Sequence, residues 1–95
     1  MCNVFLVREG ALVTPSVERS GVAGVMRAIV LRECAALGLV CEVRAVPASE
    51  LRAADEVFVT NARIGVVPVS HVGEHAYVMN GIATRIASHI EALDA

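Results

Sequence analysis

The stretch Asn3-Val-Phe-Leu-Val-Arg-Glu-Gly-Ala-Leu-Val-Thr14 decides the first prediction of the fold. Two apolar runs flank Glu9-Gly10, and a turn signal of this kind between such runs is typical of a β-hairpin. Pro15 follows at once and ends the second run, because proline cannot donate to a strand ladder. The sequence therefore predicts two antiparallel strands at the start of the chain.

The rest of the chain alternates between helical and extended periodicity. Apolar spacings of three and four indicate helices, and Gly38 is a suitable stop for the first of them. Period-two runs indicate strands, and Pro68 places one of these at a sheet edge or bulge. The predicted elements are helices over 25–37, 48–54 and 82–93 and strands over 40–46, 57–60, 64–72 and 75–78. This order predicts an α+β fold, a mixed β-sheet with packed helices.

The composition limits the functions that the chain can have. Of its 95 residues 56% are apolar, above the roughly 45–50% usual for soluble domains. A single short domain cannot bury so much apolar surface, so we expect a partner to cover part of it, most simply a second copy. The chain has eight arginines, no lysine and a net charge of −2. This balance argues against nucleic acid as the main partner.

Two further features of the sequence bear on where in the cell the protein is located. No uncharged run approaches the ~18 residues that cross a bilayer, and no basic segment precedes an apolar run at the N-terminus. Cys2, Cys34 and Cys41 are an odd number without metal-ligand spacing, so we expect reduced thiols. These features predict a cytoplasmic protein that does not associate with membranes.

Two loops are candidates for ligand binding. Gly21 to Gly24 precede a helix, and unpaired N–H groups at a helix start favour an anion such as phosphate. Val25 and Met26 would supply the first donors, although glycine before a helix is more often only a cap. Thr60, Asn61 and Ala62 follow a buried strand, at the end where ligands commonly lie in α/β sheets. The alternative for this second loop is a simple Asx turn.

Together, the two loops and their flanking segments resemble a known family. In order, the matching pieces are Asn3-Val-Phe with its hairpin, Gly21-Val-Ala-Gly-Val-Met-Arg27, Ala54-Asp-Glu-Val-Phe58, and Thr60-Asn-Ala with Pro68-Val69. They resemble the C-terminal part of the fold-type IV pyridoxal-phosphate enzymes, the class-IV aminotransferases. Within that family, Met26 and the Asn61-Ala62 pair make the chain most similar to the aminodeoxychorismate lyases. Branched-chain and D-amino-acid aminotransferases usually carry threonine where Met26 stands.

The resemblance implies roles for matching positions. The cofactor, pyridoxal 5′-phosphate, would be held through its phosphate by Gly24, Val25 and Met26 and by Asn61 and Ala62. Ala62 and Arg63 would lie near the carboxylate of the substrate. For Arg27 and Asn3 we expect structural roles, Arg27 anchoring the helix start by salt bridges and Asn3 making a hydrogen bond.

The chain also departs from the family. The lysine that links covalently to the cofactor, the glutamate that pairs with the pyridine nitrogen and an arginine that grips the phosphate all lie upstream of Asn3 in the family. We therefore expect residues 1–95 to form one partial domain, without a catalytic residue of its own. The whole enzyme would convert 4-amino-4-deoxychorismate into 4-aminobenzoate and pyruvate in folate synthesis. Two alternatives stay open: a piece of a branched-chain or D-amino-acid aminotransferase, and a non-catalytic domain that dimerises or binds phosphate.

The remaining reactive side chains carry weaker signals. His71 and His75 lie four residues apart, but Gly73 between them favours a turn over a helical metal pair. We therefore expect no metal site. His89 is predicted to be a solvated or capping residue of the last helix, and Cys34 a core residue.

Overall fold

A computed structural model of the chain describes residues 3–16, 24–61, 63–77 and 81–93. Five strands form one mixed sheet in the order β3-β2-β1-β4-β5, and two more form a small hairpin, β6-β7. The strands are β1 Asn3–Arg8, β2 Ala11–Thr14, β3 Cys41–Val43, β4 Glu56–Asn61, β5 Gly65–Pro68, β6 His71–Val72 and β7 His75–Ala76. The helices are α1 Val25–Glu33, α2 Ala48–Ala53 and α3 Ile82–Leu93.

Strand pairing confirms the predicted mixed sheet. Strand β1 pairs antiparallel with both β2 and β4, β4 pairs antiparallel with β5, and β2 pairs parallel with β3. The first hairpin turns through Glu9 and Gly10, whose φ angles of 50° and 82° are both positive. Two consecutive positive φ angles suit a two-residue hairpin loop, because they match the twist of the flanking strands. Pro68 lies in the edge strand β5, as predicted.

The two faces of the sheet carry separate apolar clusters. On one face the sheet packs against α1 and α3, and Phe5 stacks on Phe58 with ring centroids 5.0 Å apart. The other face carries Leu6, Val13 and Val57 and is covered in part by Ala54 and Tyr77. Alternation along β1 assigns its residues to the two faces in turn, because successive strand side chains point to opposite sides.

The first helix ends four residues earlier than the sequence predicts. Regular α-helix stops at Glu33, and a 3₁₀ turn over Ala35–Leu37 follows. The cause is the carbonyl of Cys34, which accepts hydrogen bonds from the backbone N–H groups of Leu37 (3.1 Å) and Leu39 (2.9 Å) and so tightens the last turn. Gly38 then ends the element in the left-handed conformation with φ 72°, as its position predicts.

Two predicted strands are shorter than expected. The strand over 40–46 is reduced to Cys41–Val43, because its only described partner, β2, ends at Thr14. The strand over 64–72 divides into β5 and β6, since the chain leaves the sheet after Val69, whose N–H donates to the carbonyl of Val57 (2.8 Å). Gly73 and Glu74 then form the predicted turn between β6 and β7.

A buried carboxylate from the sheet caps the last helix. Glu56 of β4 is 5% exposed, and its two oxygens accept hydrogen bonds from the backbone N–H groups of Ile82 (2.9 Å) and Ala83 (3.1 Å). A Cβ at Gly81 would overlap this carboxylate. The first turn of α3 is thus fixed to β4 by a contact between residues 26 positions apart, which local periodicity does not reveal.

The prediction for His89 was wrong. Its Nε2 lies 2.7 Å from Oε1 of Glu33, so that it joins α3 to α1 rather than facing solvent or capping its own helix. The hydrogen bond to His89, followed by that to Arg32, lowers the pKa of the half-buried Glu33 carboxyl. On α3 itself, Ile86 and Ile90 are buried as predicted, whereas Leu93 is 47% exposed.

We expect this contact to make part of the stability acid-sensitive. A carboxyl whose pKa is lowered on folding stabilises the fold above its ordinary pKa of 4.5. That contribution is lost as the pH falls through the folded-state value. Urea unfolding of His89→Ala should therefore show a deficit against the parent chain at pH 7 that shrinks toward pH 3. His71→Ala, on the exposed hairpin, is the matched control, and a deficit independent of pH would contradict the assignment.

Candidate functional site

The start of β1, the end of β4 and the start of α1 meet at one end of the sheet. Asn3 lies opposite Thr60 in the register of β1 and β4, and Asn61 lies opposite Gly65 at the head of β5. A Cβ at Gly24 would overlap Oδ1 of Asn3, so a larger residue where α1 meets the sheet would displace the Asn3 side chain. Gly24 and Asn61, one from each candidate loop and far apart in sequence, therefore lie at the same end of the sheet.

The first turn of α1 carries the donors expected of an anion site. Gly24 is its N-cap, with extended geometry and no side-chain cap, and the first helical hydrogen bond runs from the N–H of Ala28 to the carbonyl of Gly24 (3.1 Å). The N–H groups of the preceding helical positions have no partner within the helix. Among these positions Val25 is 69% exposed and Met26 is half-buried. Such a helix start suits a negatively charged group.

Arg27 fixes this helix start to the sheet. Arg27 is 7% exposed, and its Nη2 donates a hydrogen bond to the carbonyl of Pro15 (3.2 Å). The described contact of Arg27 is therefore a hydrogen bond to a backbone carbonyl after β2, whereas the sequence analysis predicted salt bridges. Two buried polar atoms near this end of the sheet, Nε of Arg27 and Oγ1 of Thr60, have no hydrogen-bond partner. A buried cation beside the helix start adds to the positive potential there.

The second loop forms the Asx turn that was the alternative interpretation of its sequence. Oδ1 of Asn61 accepts a hydrogen bond from the backbone N–H of Arg63 (2.8 Å). Gly65, with φ 79°, completes the reversal into β5. Arg63 is exposed at this turn, and Ala62 lies outside the described residues.

A cavity of about 250 Å³ lies beside the site. Met26 of α1 and Arg63 of the turn both line it, which places the first turn of α1 and the β4–β5 turn side by side. Helix α3 closes the far side with Ile90 and Glu91. Of the predicted site residues, the structure therefore brings Gly24, Val25 and Met26 to the same end of the sheet as Asn61 and Arg63.

The histidines are not brought together. In the register of the β6–β7 hairpin His71 lies opposite Ala76 and His75 lies opposite Val72. The ring of His75 packs edge-on against Tyr77, and Nδ1 of His71 lies 2.8 Å from Oγ of Ser70. Across residues 3–16, 24–61, 63–77 and 81–93, no group of three metal-ligating side chains is clustered. Nor does any helix in these ranges have the length and apolar content needed to span a membrane.

The donor set suits a phosphate group better than it suits a reactive centre. Backbone N–H groups at a helix start and a tight polar turn are the groups that bind phosphate oxygens. No lysine is present in the 95 residues to bind an aldehyde covalently. The arrangement therefore offers donors that suit a phosphate group, and it includes no lysine amine.

The fold and the sequence together define the class of protein. The mixed sheet with its helices is the fold of the fold-type IV aminotransferases. The sequence model of class IV aminotransferases matches residues 1–72. The chain belongs to the class IV aminotransferase family, which is pyridoxal-phosphate-dependent.

Both branches of the family are represented among its relatives. The chain is 43% identical over 75 residues to a probable branched-chain-amino-acid aminotransferase of Thermotoga maritima, covering 79% of this chain and 28% of that protein. It is 40% identical over 72 residues to an aminodeoxychorismate lyase of Vibrio harveyi, covering 76% of this chain and 27% of that protein. The chain thus spans little more than a quarter of the length of these relatives.

A solved structure extends the similarity to the whole chain. An aminotransferase from Brucella abortus, bound to the cofactor pyridoxal phosphate, superposes with a TM-score of 0.92 at 26% identity. The match covers 100% of this chain and 34% of that one. Helix α3, which lies beyond the part matched by the family model, is therefore included in the common fold.

Sequence reasoning missed the residue that positions α3. Glu56 stood within the matched piece Ala54-Asp-Glu-Val-Phe58 but had no assigned role. An acidic residue beginning a buried strand was the available signal, because a charge in such a place needs partners. Its partners are the helix amides described above.

Proposed function

We propose that this chain is the cofactor-phosphate-binding part of a pyridoxal-phosphate-dependent 4-amino-4-deoxychorismate lyase, and that it has no activity alone. The observation that carries the proposal is the meeting of an uncapped helix start at Gly24 with the Asn61 turn at one end of the sheet. In this proposal residues 1–95 act as one partial domain. The remaining parts of the site would come from a lysine-bearing segment.

The proposed roles follow from the donors at each position. The backbone N–H groups of Val25 and Met26 would bind the phosphate oxygens, and Gly24 would leave the space for them. Asn61 and Ala62 would complete the phosphate site. Ala62 and Arg63 would face the carboxylate of the substrate, where the exposed guanidinium of Arg63 offers a bidentate partner. When bound, the cofactor would supply an electron-withdrawing ring for bond cleavage next to the substrate nitrogen.

Two alternatives have specific support. The 43% identity to a branched-chain aminotransferase favours an aminotransferase parent as much as the 40% identity to a lyase favours a lyase. Met26 and the Asn61-Ala62 pair are the features that favour the lyase over the aminotransferase.

A stand-alone dimerising domain is the other candidate, and exposed Val25, Val40 and Ile64 offer apolar surface for it. Homo-oligomerisation in the cytoplasm stays a prediction.

Titration with inorganic phosphate, followed by amide NMR, tests the proposed site. We expect shifts concentrated at 24–27 and 60–63, with a Kd on the order of 1 mM, equivalent to about −4 kcal/mol. The affinity is low because a charge-assisted phosphate contact from an arginine, worth about 1.5–3 kcal/mol, would be absent from this part. Gly24→Ala should weaken binding several-fold, because its Cβ would displace Asn3.

The control for this titration is a second substitution that restores the space. Asn3→Ala in the Gly24→Ala background removes the overlapping Oδ1 atom, so the double variant should recover most of the lost affinity. Shifts centred on His71 and His75, or no shifts at tens of millimolar phosphate, would contradict the proposed site.

A further inference from the structure

The outer edge of β3 has no strand beside it in the part of the chain that the structure describes. Strand β3 is the last in the sheet order, and its described neighbour is β2. Val40, just before β3, is 67% exposed, and Val43 within it is 50% exposed. We propose that this edge pairs with the same edge of a second copy of the chain, antiparallel and centred on Val43. The pairing gives a surface to the predicted homo-oligomer and does not involve the candidate phosphate site.

The direction of the backbone groups decides which residues of β3 can pair at this edge. The carbonyl of Val40 accepts a hydrogen bond from the N–H of Leu12 in β2 (2.8 Å). The N–H of Arg44 donates to the carbonyl of Thr14, also in β2 (3.1 Å). The N–H and C=O groups of one strand residue point to the same side, and successive residues alternate between the two sides. The backbone groups of Val43 therefore point away from β2 and toward the open edge.

A twofold axis at Val43 places unlike charges opposite each other. In this register Val43 forms a hydrogen-bonded pair with Val43 of the partner subunit, because both present their backbone groups to the open edge. Glu42 then lies opposite Arg44 of the partner subunit in a non-hydrogen-bonded pair, the type in which the side chains are closer. Because the axis is twofold, this charge pair occurs twice in the dimer.

Other registers of the same two strands are less favourable. A shift by two residues keeps the outward backbone groups in register, but it brings Glu42 opposite its own copy or Arg44 opposite its own copy. Like charges directly opposite each other destabilise a strand pair. A shift by one residue would instead need backbone groups that already bond to β2. The charges of this edge therefore select a single register.

Both charged side chains are held at the surface before any association. Nε of Arg44 donates to Oε2 of Glu42 (3.0 Å), and the two side chains are 41% and 55% exposed. Nη1 of Arg44 donates to Oε2 of the buried Glu50 (2.7 Å). These bonds restrict the Arg44 side chain, so that less conformational entropy is lost on pairing. Because the strand is short the interface is small, and we expect a weak dimer that dissociates on dilution.

Disulfide trapping in the full chain tests the register. A Cys2→Ser, Cys41→Ala background leaves the buried Cys34 as the one native thiol. Into it we would introduce one cysteine at a time, by Val40→Cys, Glu42→Cys, Val43→Cys or Arg44→Cys. The Cα atoms of a hydrogen-bonded pair are about 5.5 Å apart, within disulfide range, so Val43→Cys should form a covalent dimer on mild oxidation. Val40→Cys is the matched control, because Val40 is more exposed but would lie roughly 20 Å from its copy.

The two charged positions test the same register from either side. A mixture of the Glu42→Cys and Arg44→Cys chains should crosslink as a heterodimer faster than either chain crosslinks with itself. Self-crosslinking of Glu42→Cys or of Arg44→Cys that outpaces Val43→Cys would mean a different register and would overturn the proposal. Equal crosslinking by all four variants would mean random collision and would overturn it as well.

Sedimentation equilibrium tests the contribution of the charges. Glu42→Arg places like charges opposite each other and should raise the Kd of the dimer by about tenfold or more, whereas Glu42→Gln should raise it only about two- to threefold. Raising the salt from about 50 mM to about 500 mM should also weaken the parent dimer, because exposed charges are screened. Circular dichroism of each variant checks that it remains folded.

Two results of the sedimentation experiment would contradict the interface. One is a parent chain that stays monomeric up to about 1 mM. The other is a dimer that Glu42→Arg leaves unchanged, since such a dimer must form through another surface. The charge variants should bind inorganic phosphate as the parent does, so that failure of the interface and failure of the proposed function are distinguishable.

Discussion

Replacing Glu56 with alanine will lower the free energy of unfolding by about 2–4 kcal/mol, the largest loss we expect from a single polar side chain of this protein. Two charge-assisted hydrogen bonds to the amides of Ile82 and Ala83 disappear, and both amides are left at a helix start that packs on the sheet. Urea unfolding followed by circular dichroism measures the loss. Glu91→Ala, on the exposed face of the same helix, should change stability by less than about 0.5 kcal/mol.

Gly81 provides a second test of the same cap. An alanine there overlaps the carboxylate of Glu56 and forces it off the helix amides, so Gly81→Ala alone should cost about 2 kcal/mol. Once Glu56 has been replaced by alanine, the three atoms nearest to the added methyl group are gone, and Gly81→Ala should cost much less. Additive losses in this double-mutant cycle would show that the cap does not hold α3.

The isolated chain should form no covalent adduct with pyridoxal phosphate on any side chain. Cofactor attachment in this chemistry needs a lysine amine, and the chain has none. After incubation with the cofactor and reduction by borohydride, peptide mapping should find a pyridoxyl group at the N-terminal amine at most. The isolated chain should turn over neither 4-amino-4-deoxychorismate nor branched-chain amino acids, so that both activities found in the family should be absent.

A chimera serves as the positive control. The upstream part of the Vibrio harveyi aminodeoxychorismate lyase, joined to this chain in place of its own C-terminal part, should take up the cofactor on lysine and release 4-aminobenzoate. Transamination of branched-chain amino acids by the chimera, without lyase turnover, would favour the aminotransferase parent instead. Steady turnover by the isolated chain would contradict the proposal that it is only part of a site.

Local patterns predicted the elements that turn residues and apolar spacing mark in the sequence. The hairpin through Glu9 and Gly10 and the helix Ile82–Leu93 appear as expected, since turn residues and apolar spacing determine them. Other features depend on distant partners and so left no local signal. The end of α1 depends on the Cys34 carbonyl, and the contact of His89 with Glu33 joins residues 56 positions apart. Periodicity could indicate only that His89 lies on a helix.

The candidate site also has parts that local sequence indicates and parts that depend on distant contacts. The helix start after Gly24 and the turn at Asn61 were each recognisable from sequence, because glycine and asparagine favour those backbone conformations. Their meeting depends on the pairing of Asn3 with Thr60 and on the close approach of Asn3 to Gly24. Nothing in the local sequence of either loop indicates that the two loops meet. Only the resemblance to a family predicted that they lie close together.

The order of the strands has a consequence for synthesis on the ribosome. Strand β1 is central in the sheet, yet its partner β4 begins only at Glu56. At roughly 5–20 residues per second, the edge of β1 that will pair with β4 waits about 2–10 s for its partner. During that interval Val4-Phe5-Leu6-Val7 presents an unpaired apolar edge to other nascent chains. We therefore expect this chain to depend on ribosome-associated chaperones, and to yield more soluble product when elongation through residues 40–60 is fast.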